Sequence, residues 1–389
     1  MVRQPLRKNL ASRSLVSLLI LAAFPAVAIG SDVDFEILPY VQNVSSTSAT
    51  VMWKSMGEMT GQVAYGITAA YGASAEGQNI YVMKGNLAQP KKGSVVRAQL
   101  TDLLPDTVYH YRVALASSVC EDRIFRTGPA AAEAPITFVV YGDSRTQPEV
   151  HARVASAAAA TCDPAFVLTT GDAVPSSSAR QSIWVKQFFE PADPLLRGTW
   201  FLITQGNHDN RNQLLSLYFE APGGGELEDY YSLDWGPVYV TTINTNKDYR
   251  PGSEQYQFLE RDIANTTRPF KVFFGHHPAY SSGYHGSNRQ MQKYLQPLFE
   301  ANGVKLVFAG HDHSYERTVI NGITYIVSGG GGAPLHEQRA LSKNPGSIVY
   351  VKANNFVQVD VAIDSFFVTA WAVNEAGEAK MVDQTIIAP

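Results

Sequence analysis

Five apolar runs between residues 136 and 313 end in the same way, in a glycine followed at once by an acid, an amide or an imidazole. They read ITFVVYGD, AFVLTTGD, WFLITQGNHD, FKVFFGHHP and VKLVFAGHDH. A short run this apolar is expected to be a strand covered on both faces, as in parallel sheets flanked by helices. Helical stretches do fall between some of them: PEVHARVASAAAA with Pro148 in its first turn, SEQYQFLERDIA, and NRQMQKYLQPLFEA. Strands alternating with helices predict a layered α/β domain, in which ligands gather beyond the carboxyl ends of the strands. Those ends carry Asp143, Asp172, Asn207 with His208, His276 with His277, and His311 with His313. The glycine before each cluster is expected to let the backbone turn tightly there.

Carboxylate, amide and imidazole donors together suit Fe, Zn or Mn rather than Mg or Ca alone. So many ligands fit a pair of divalent or trivalent cations about 3.5–4 Å apart, bridged by one carboxylate. One such cluster would carry little weight, because a Gly-Asp after a strand is ordinarily a turn and a single histidine an ordinary polar residue. Five in succession, each at a strand end, point to a site.

The flanking sequence has a different character. From about Phe35 to Arg126, SATVMWKS, GQVAYG, SVVRAQL and TVYHYRVAL alternate apolar and polar residues without a helical stretch, which predicts a β-sandwich of immunoglobulin or fibronectin III type. TGPAAAEAP (127–135) reads as a linker, and beyond GGGGAPL (329–335) the runs NFVQVDVAI and FFVTAWAV are expected to complete a two-sheet core. The expected organisation is a leader over 1–30, a sandwich over 33–128 and a layered domain over 135–389. Arg3, Arg7, Lys8 and Arg13 precede an apolar run from Leu15 to about Ala28 that ends in an A-x-A-like site, the outline of a secretory signal. Pro25 and the short apolar length oppose a permanent membrane anchor, so a secreted or periplasmic protein is expected. A net charge of -4 supplies no basic footprint, and nucleic-acid binding is not expected. Cys120 and Cys162 could pair in an oxidising compartment or remain thiols; both readings stay open.

The set GD, GD, GNHD, GHHP and GHDH, in this order, resembles the calcineurin-like metallophosphoesterases, above all the purple acid phosphatases with their GDxG, GDxxY, GNH(D/E), VxxH and GHxH pattern. LPYVQ, TVYHYRV, YYSLDWGPVYV, EQYQFLE, GHDHSYER and GGGGAPL extend the likeness over both domains. The resemblance implies a fibronectin III-like sandwich followed by a four-layer α/β/β/α domain. It also implies hydrolysis of a small phosphate ester, a monoester first. Diester or nucleotide hydrolysis on the same scaffold, or a degenerate metal-binding protein, are the alternatives. It would make Asp172 the bridge, put Asp143 and His313 on the first metal, and put Asn207, His276 and His311 on the second. His208 would sit near the phosphoryl group, oriented by Asp209. His285, nine residues after His276, would be a second substrate-facing histidine. His277 would face solvent or support a ligand from behind. Two cations would make hydroxide available as the nucleophile at ordinary pH, and His208 would protonate the leaving oxygen of an in-line displacement.

Two positions depart from the pattern. Pro175 stands where the purple enzymes take a tyrosine onto the first metal, and Arg145 stands where other members of the superfamily use the histidine of D-x-H. A guanidinium has no lone pair to give a metal. The first metal is therefore short of one protein ligand. Arg145 is free to grip phosphate as a planar fork, or is simply an ion-paired arginine.

Overall fold

The computed structural model describes residues 34–57, 60–83, 93–223, 229–339 and 343–388, so the expected leader lies outside the described residues. The first domain holds β1 (Phe35–Gln42), β2 (Ala49–Met56), β3 (Gln62–Gly66), β4 (Ala73–Glu76), β5 (Gln78–Met83), β6 (Gly93–Leu100), β7 (Val108–Ala114) and β8 (Arg123–Arg126). They pair antiparallel into two four-stranded sheets, β1-β2-β6-β5 and β4-β3-β7-β8. Alternation does what period two requires: along β7, Tyr109, Tyr111 and Val113 are buried and the residues between them are not.

The second domain has two mixed sheets. One uses β9 (Ile136–Tyr141), β10 (Phe166–Thr169), β11 (Trp200–Ile203), β19 (Asn354–Val361), β20 (Phe366–Val373) and β21 (Ala379–Ile387), in the order β11-β10-β9-β19-β20-β21. The other uses β12 (Tyr230–Trp235), β13 (Val238–Ile243), β14 (Phe270–Phe274), β15 (Leu306–Ala309), β16 (Tyr315–Ile320), β17 (Ile323–Ser328) and β18 (Ser347–Val351), in the order β12-β13-β14-β15-β17-β16-β18. The apolar runs are the parallel strands: β9, β10 and β11 pair parallel, as do β13, β14 and β15. The sheets face each other through ring contacts such as Phe138 with Phe308 and Phe270 with Phe366.

Helices cover the outer faces. On the first sheet lie α1 (Pro148–Thr161) and a composite helix in which α2 (Gln181–Trp184) runs through a π turn (Val185–Phe189) into α3 (Glu190–Leu196). After the short α4 (Gln213–Tyr218) come α5 (Glu254–Asn265) and α6 (Arg289–Ala301). These bury Leu259, Ile263, Met291, Leu295 and Phe299 against Phe273 and Val307 of the second sheet. The starts of α5 and α6 are fixed by side-chain caps, Ser253 accepting from the Tyr256 N–H and Asn288 from the Gln290 and Met291 N–H groups. Each buried Leu, Ile or Phe contributes about 1.5–3 kcal/mol, so these faces hold the strand ends rigidly in place.

The two domains share one apolar mass. Tyr40 of β1 packs on Phe189, with ring centroids 5.3 Å apart, and donates its hydroxyl to the Tyr218 carbonyl. The buried Arg123 of β8 is held by the Pro39 carbonyl of its own domain and reaches across to Asp193 Oδ1 at 2.7 Å. Tyr111 donates to the Arg197 carbonyl.

Candidate metal centre

At three of the strand ends a non-glycine residue adopts the left-handed conformation: Asp143 (φ 54°), Asp172 (φ 56°) and His311 (φ 69°). Such a conformation costs roughly 1–3 kcal/mol per residue and is held only by its surroundings. The expectation that the preceding glycines make the turn is corrected for two of them. A Cβ on Gly206 would lie 2.1 Å from Asp172 Oδ1, and one on Gly310 would lie 2.3 Å from Asp143 Oδ2. Glycine is required there because a carboxylate is pressed against its backbone. The same carboxylates tie the strand ends together: Asp143 Oδ2 accepts from the His311 N–H at 2.9 Å, and Asp172 Oδ1 accepts from the His208 N–H at 2.8 Å.

One half of the centre is a ring of lone pairs. His276 Nδ1 lies 2.8 Å from the Thr170 carbonyl, an acceptor only, so the proton sits on Nδ1 and Nε2 carries the lone pair. That nitrogen faces Asn207 Oδ1 at 2.9 Å, His311 Nδ1 at 3.2 Å and Asp172 Oδ1 at 3.6 Å. Ligand atoms about 2.0–2.1 Å from a metal at tetrahedral angles lie about 3.3–3.4 Å apart, so this spacing fits a cation. Burial, with His277 beside it, pushes the His276 imidazole well below its usual range, and burial with His276 alongside lowers His311 as well. Both rings are therefore neutral, as ligands must be.

The other half has three donors. Asp143 Oδ1 is buried without a hydrogen-bond partner among the described residues, and it lies 3.5 Å from His313 Nε2. Burial, followed by the nearby Asp172, raises the Asp143 carboxyl well above the ordinary range, so this group is short of positive charge. His313 holds Nδ1 at 2.6 Å from the Pro334 carbonyl, which leaves the Nε2 lone pair facing inward, and burial lowers this ring to about 4. Arg145 enters here. Its Nε donates to Asp172 Oδ2 at 3.1 Å, and its Nη2 lies 3.5 Å from His313 Nε2.

The remaining expected residues divide. His208 stands at the rim with Nε2 3.8 Å from Asp172 Oδ2, and its Nδ1 is held at 2.9 Å by the Pro175 carbonyl. Asp209 therefore does not orient His208, contrary to expectation. Its buried carboxylate accepts from the Gly206 and Ala173 N–H groups, and burial with Asp172 nearby raises it to about 7. Backbone donors outcompete a rim imidazole for a carboxylate this deep. His285 is exposed and stacks over His311, with centroids 4.0 Å apart. His277 is half-buried, bonded to Thr245 Oγ1 at 2.8 Å with its ring 4.5 Å from His311.

Sequence reasoning missed His336 and Asp312. His336 stacks on His313, centroids 3.9 Å apart, with Nδ1 3.3 Å from Asp312 Oδ1. Asp312 also accepts from Ser281 Oγ and from the His285 and Gly286 N–H groups. His285, Asp312 and His336 thus form a second cluster whose donor atoms lie within 4.8 Å of one another. The available signals were the acid inside GHDH and the histidine one residue past GGGGAPL. Cys120 and Cys162 are both free thiols in this structure.

Residues 136–315 match the calcineurin-like phosphoesterase model, and residues 37–127 match the purple acid phosphatase N-terminal domain. The chain carries a calcineurin-like phosphoesterase domain. This phosphoesterase is 28% identical over 299 residues to Probable purple acid phosphatase 20 of Arabidopsis thaliana, covering 72% of this chain and 68% of that protein. It is 29% identical over 203 residues to Probable inactive purple acid phosphatase 1 of the same plant, covering 41% of this chain and only 33% of that protein. It superposes on the purple acid phosphatase PPD1 from yellow lupin (Lupinus luteus) seeds with a TM-score of 0.76. That match covers 90% of this chain and 74% of that one at 19% identity, a likeness of fold. The family is one of metal-dependent phosphoesterases with a binuclear centre. Among the described residues no helix is long and apolar enough to cross a membrane.

Proposed function

We propose that this phosphoesterase hydrolyses small phosphate esters, monoesters in preference to diesters, after export from the cytoplasm. The observation that carries the reading is the His276 Nε2 lone pair facing three further donors, from Asn207, His311 and Asp172. These four would hold a cation, with Fe, Zn or Mn suiting the donor set. Asp143 and His313, with the second oxygen of Asp172, line the adjoining half. When bound, such a cation draws charge from phosphate oxygens and acidifies water.

The chain's own residues do the rest. His208 keeps one proton on Nδ1 against the Pro175 carbonyl. Its Nε2, directed toward the centre, is the atom that can carry a second proton to a leaving oxygen. His285 stands over His311 with its exposed ring available to the substrate. Asp209 fixes the turns that carry Asn207 and Asp172 by holding the Gly206 and Ala173 amides.

The test is turnover of an aryl phosphate monoester and the matching diester by metal-loaded protein, before and after chelation. Metal-dependent hydrolysis that favours the monoester is expected. His208→Ala should lower monoester turnover by roughly 10²–10⁴-fold. Faster diester turnover would move the assignment to a diesterase, and no turnover of either by loaded protein would favour the non-catalytic reading.

A further inference from the structure

We infer that the Arg145 guanidinium takes the place of the first cation, so that the resting protein holds one tightly bound metal beside a fixed organic positive charge. This rests on the hydrolytic reading above and narrows its metal count. Arg145 is not at the edge of the first half but inside it: its side chain is only 14% exposed. Nε bonds the outer oxygen of Asp172, and Nη2 faces the inward lone pair of His313. Those are two of the three groups that would have to turn toward a metal there. The backbone fixes the position too, because the Arg145 N–H donates to the Asp172 carbonyl at 3.3 Å.

Donor count leads to the same place. With Asp172 Oδ2 committed to the guanidinium and His313 Nε2 facing it, Asp143 Oδ1 is the donor of this half left without a hydrogen bond among the described residues. The two positions from which a fourth could come supply none. One is Arg145 itself, and the other is Pro175, whose carbonyl is turned to His208 Nδ1. A cation entering beside a guanidinium would meet like-charge repulsion in a region where Asp143 and Asp172 are shielded from solvent. The second half has four donors, and it uses Asp172 Oδ1 rather than the Oδ2 that the guanidinium binds. The substitution retains function. The guanidinium supplies a fixed positive charge beside the second half.

The experiment is a metal count on the full chain. Protein is loaded with excess Zn²⁺ or Mn²⁺, desalted, and analysed by elemental mass spectrometry, with circular dichroism as the folding control. The expected result is one metal per wild-type chain and two per Arg145→His chain, since an imidazole restores the lone pair. Arg145→Lys should stay at one. Arg145→Ala, which removes charge without adding a donor, should take a second metal only while metal is in excess. Two metals on the desalted wild-type chain would overturn the inference and leave the hydrolytic reading standing. One metal on both wild type and Arg145→His would overturn it too, because something other than the guanidinium would then close the first half. No metal on any chain, together with no turnover, would remove the hydrolytic reading as well.

Discussion

Asp312→Ala should be among the most destabilising single changes near the centre, while leaving the proposed metal ligands in place. The Asp312 carboxylate is fully buried and accepts from Ser281 Oγ at 2.5 Å, the His285 N–H at 2.8 Å and the Gly286 N–H at 3.2 Å. Alanine strands these three donors and removes the partner of His336 Nδ1, at about 1–3 kcal/mol for each buried donor left unsatisfied. Allowing for water entering the vacated space, the loss is about 3 kcal/mol, or a melting point lower by roughly 4 °C when both domains unfold together. A second route gives a similar size. Burial opposes ionisation, but hydrogen bonds from His336, the His285 amide and Ser281 hold the carboxyl at about 2, against an ordinary 3.8. That depression corresponds to roughly 2 kcal/mol. Because the folded value is the lower one, this contribution is fully present above about pH 4 and is lost as pH falls toward 2. The assay is thermal and urea denaturation of wild type and variant, with kcat/KM and metal content measured on the same samples. Glu316 still bonds Ser282 through its N–H and Oγ, so the loop should stay folded while His285 loosens. A fall of about tenfold in kcat/KM with unchanged metal content is expected. A stability loss under about 1 kcal/mol, or loss of metal in proportion to activity, would refute the reasoning.

Asp193→Ala should cost about 3–5 kcal/mol in chemical denaturation by leaving the buried Arg123 without its carboxylate, and adding Arg123→Met should recover much of that loss. Gly206→Ala should lower both metal affinity and stability, because the new methyl meets Asp172 Oδ1 at 2.1 Å and the Asp172 backbone nitrogen at 2.3 Å; titration with Zn²⁺ and thermal denaturation read this, and wild-type affinity would contradict it. Iron-loaded protein should be colourless, because Pro175 replaces the tyrosine whose charge transfer colours the purple enzymes. A visible absorption band at the wavelength of those enzymes would show that another tyrosine reaches the metal.

What the sequence revealed, and what it hid, follows from where the information lies. Strands β9, β10, β11, β14 and β15 were legible because a strand buried on both faces cannot be polar, and the polar residue after it marks the edge. Strand β4 was not, since ASAE is exposed along most of its length and carries no apolar signal. Among the site residues, those within one motif were readable, whereas partners distant in sequence were not. Nothing local links His336 to Asp312, or tells that Asp209 serves the Gly206 amide rather than a neighbouring imidazole. The role of Gly310 depends on the Asp143 carboxylate, which arrives from the other sheet. Arg145 was readable as a missing ligand, but its contact with Asp172 and His313 requires the fold.

The seam between sandwich and layered domain makes the sandwich something other than a detachable appendage. Prising it away would bare Phe189 and Tyr218 and strand a guanidinium and two tyrosine hydroxyls from their anchors. Heat should accordingly unravel both halves in a single calorimetric event, and a fragment lacking the sandwich should be sticky rather than merely smaller.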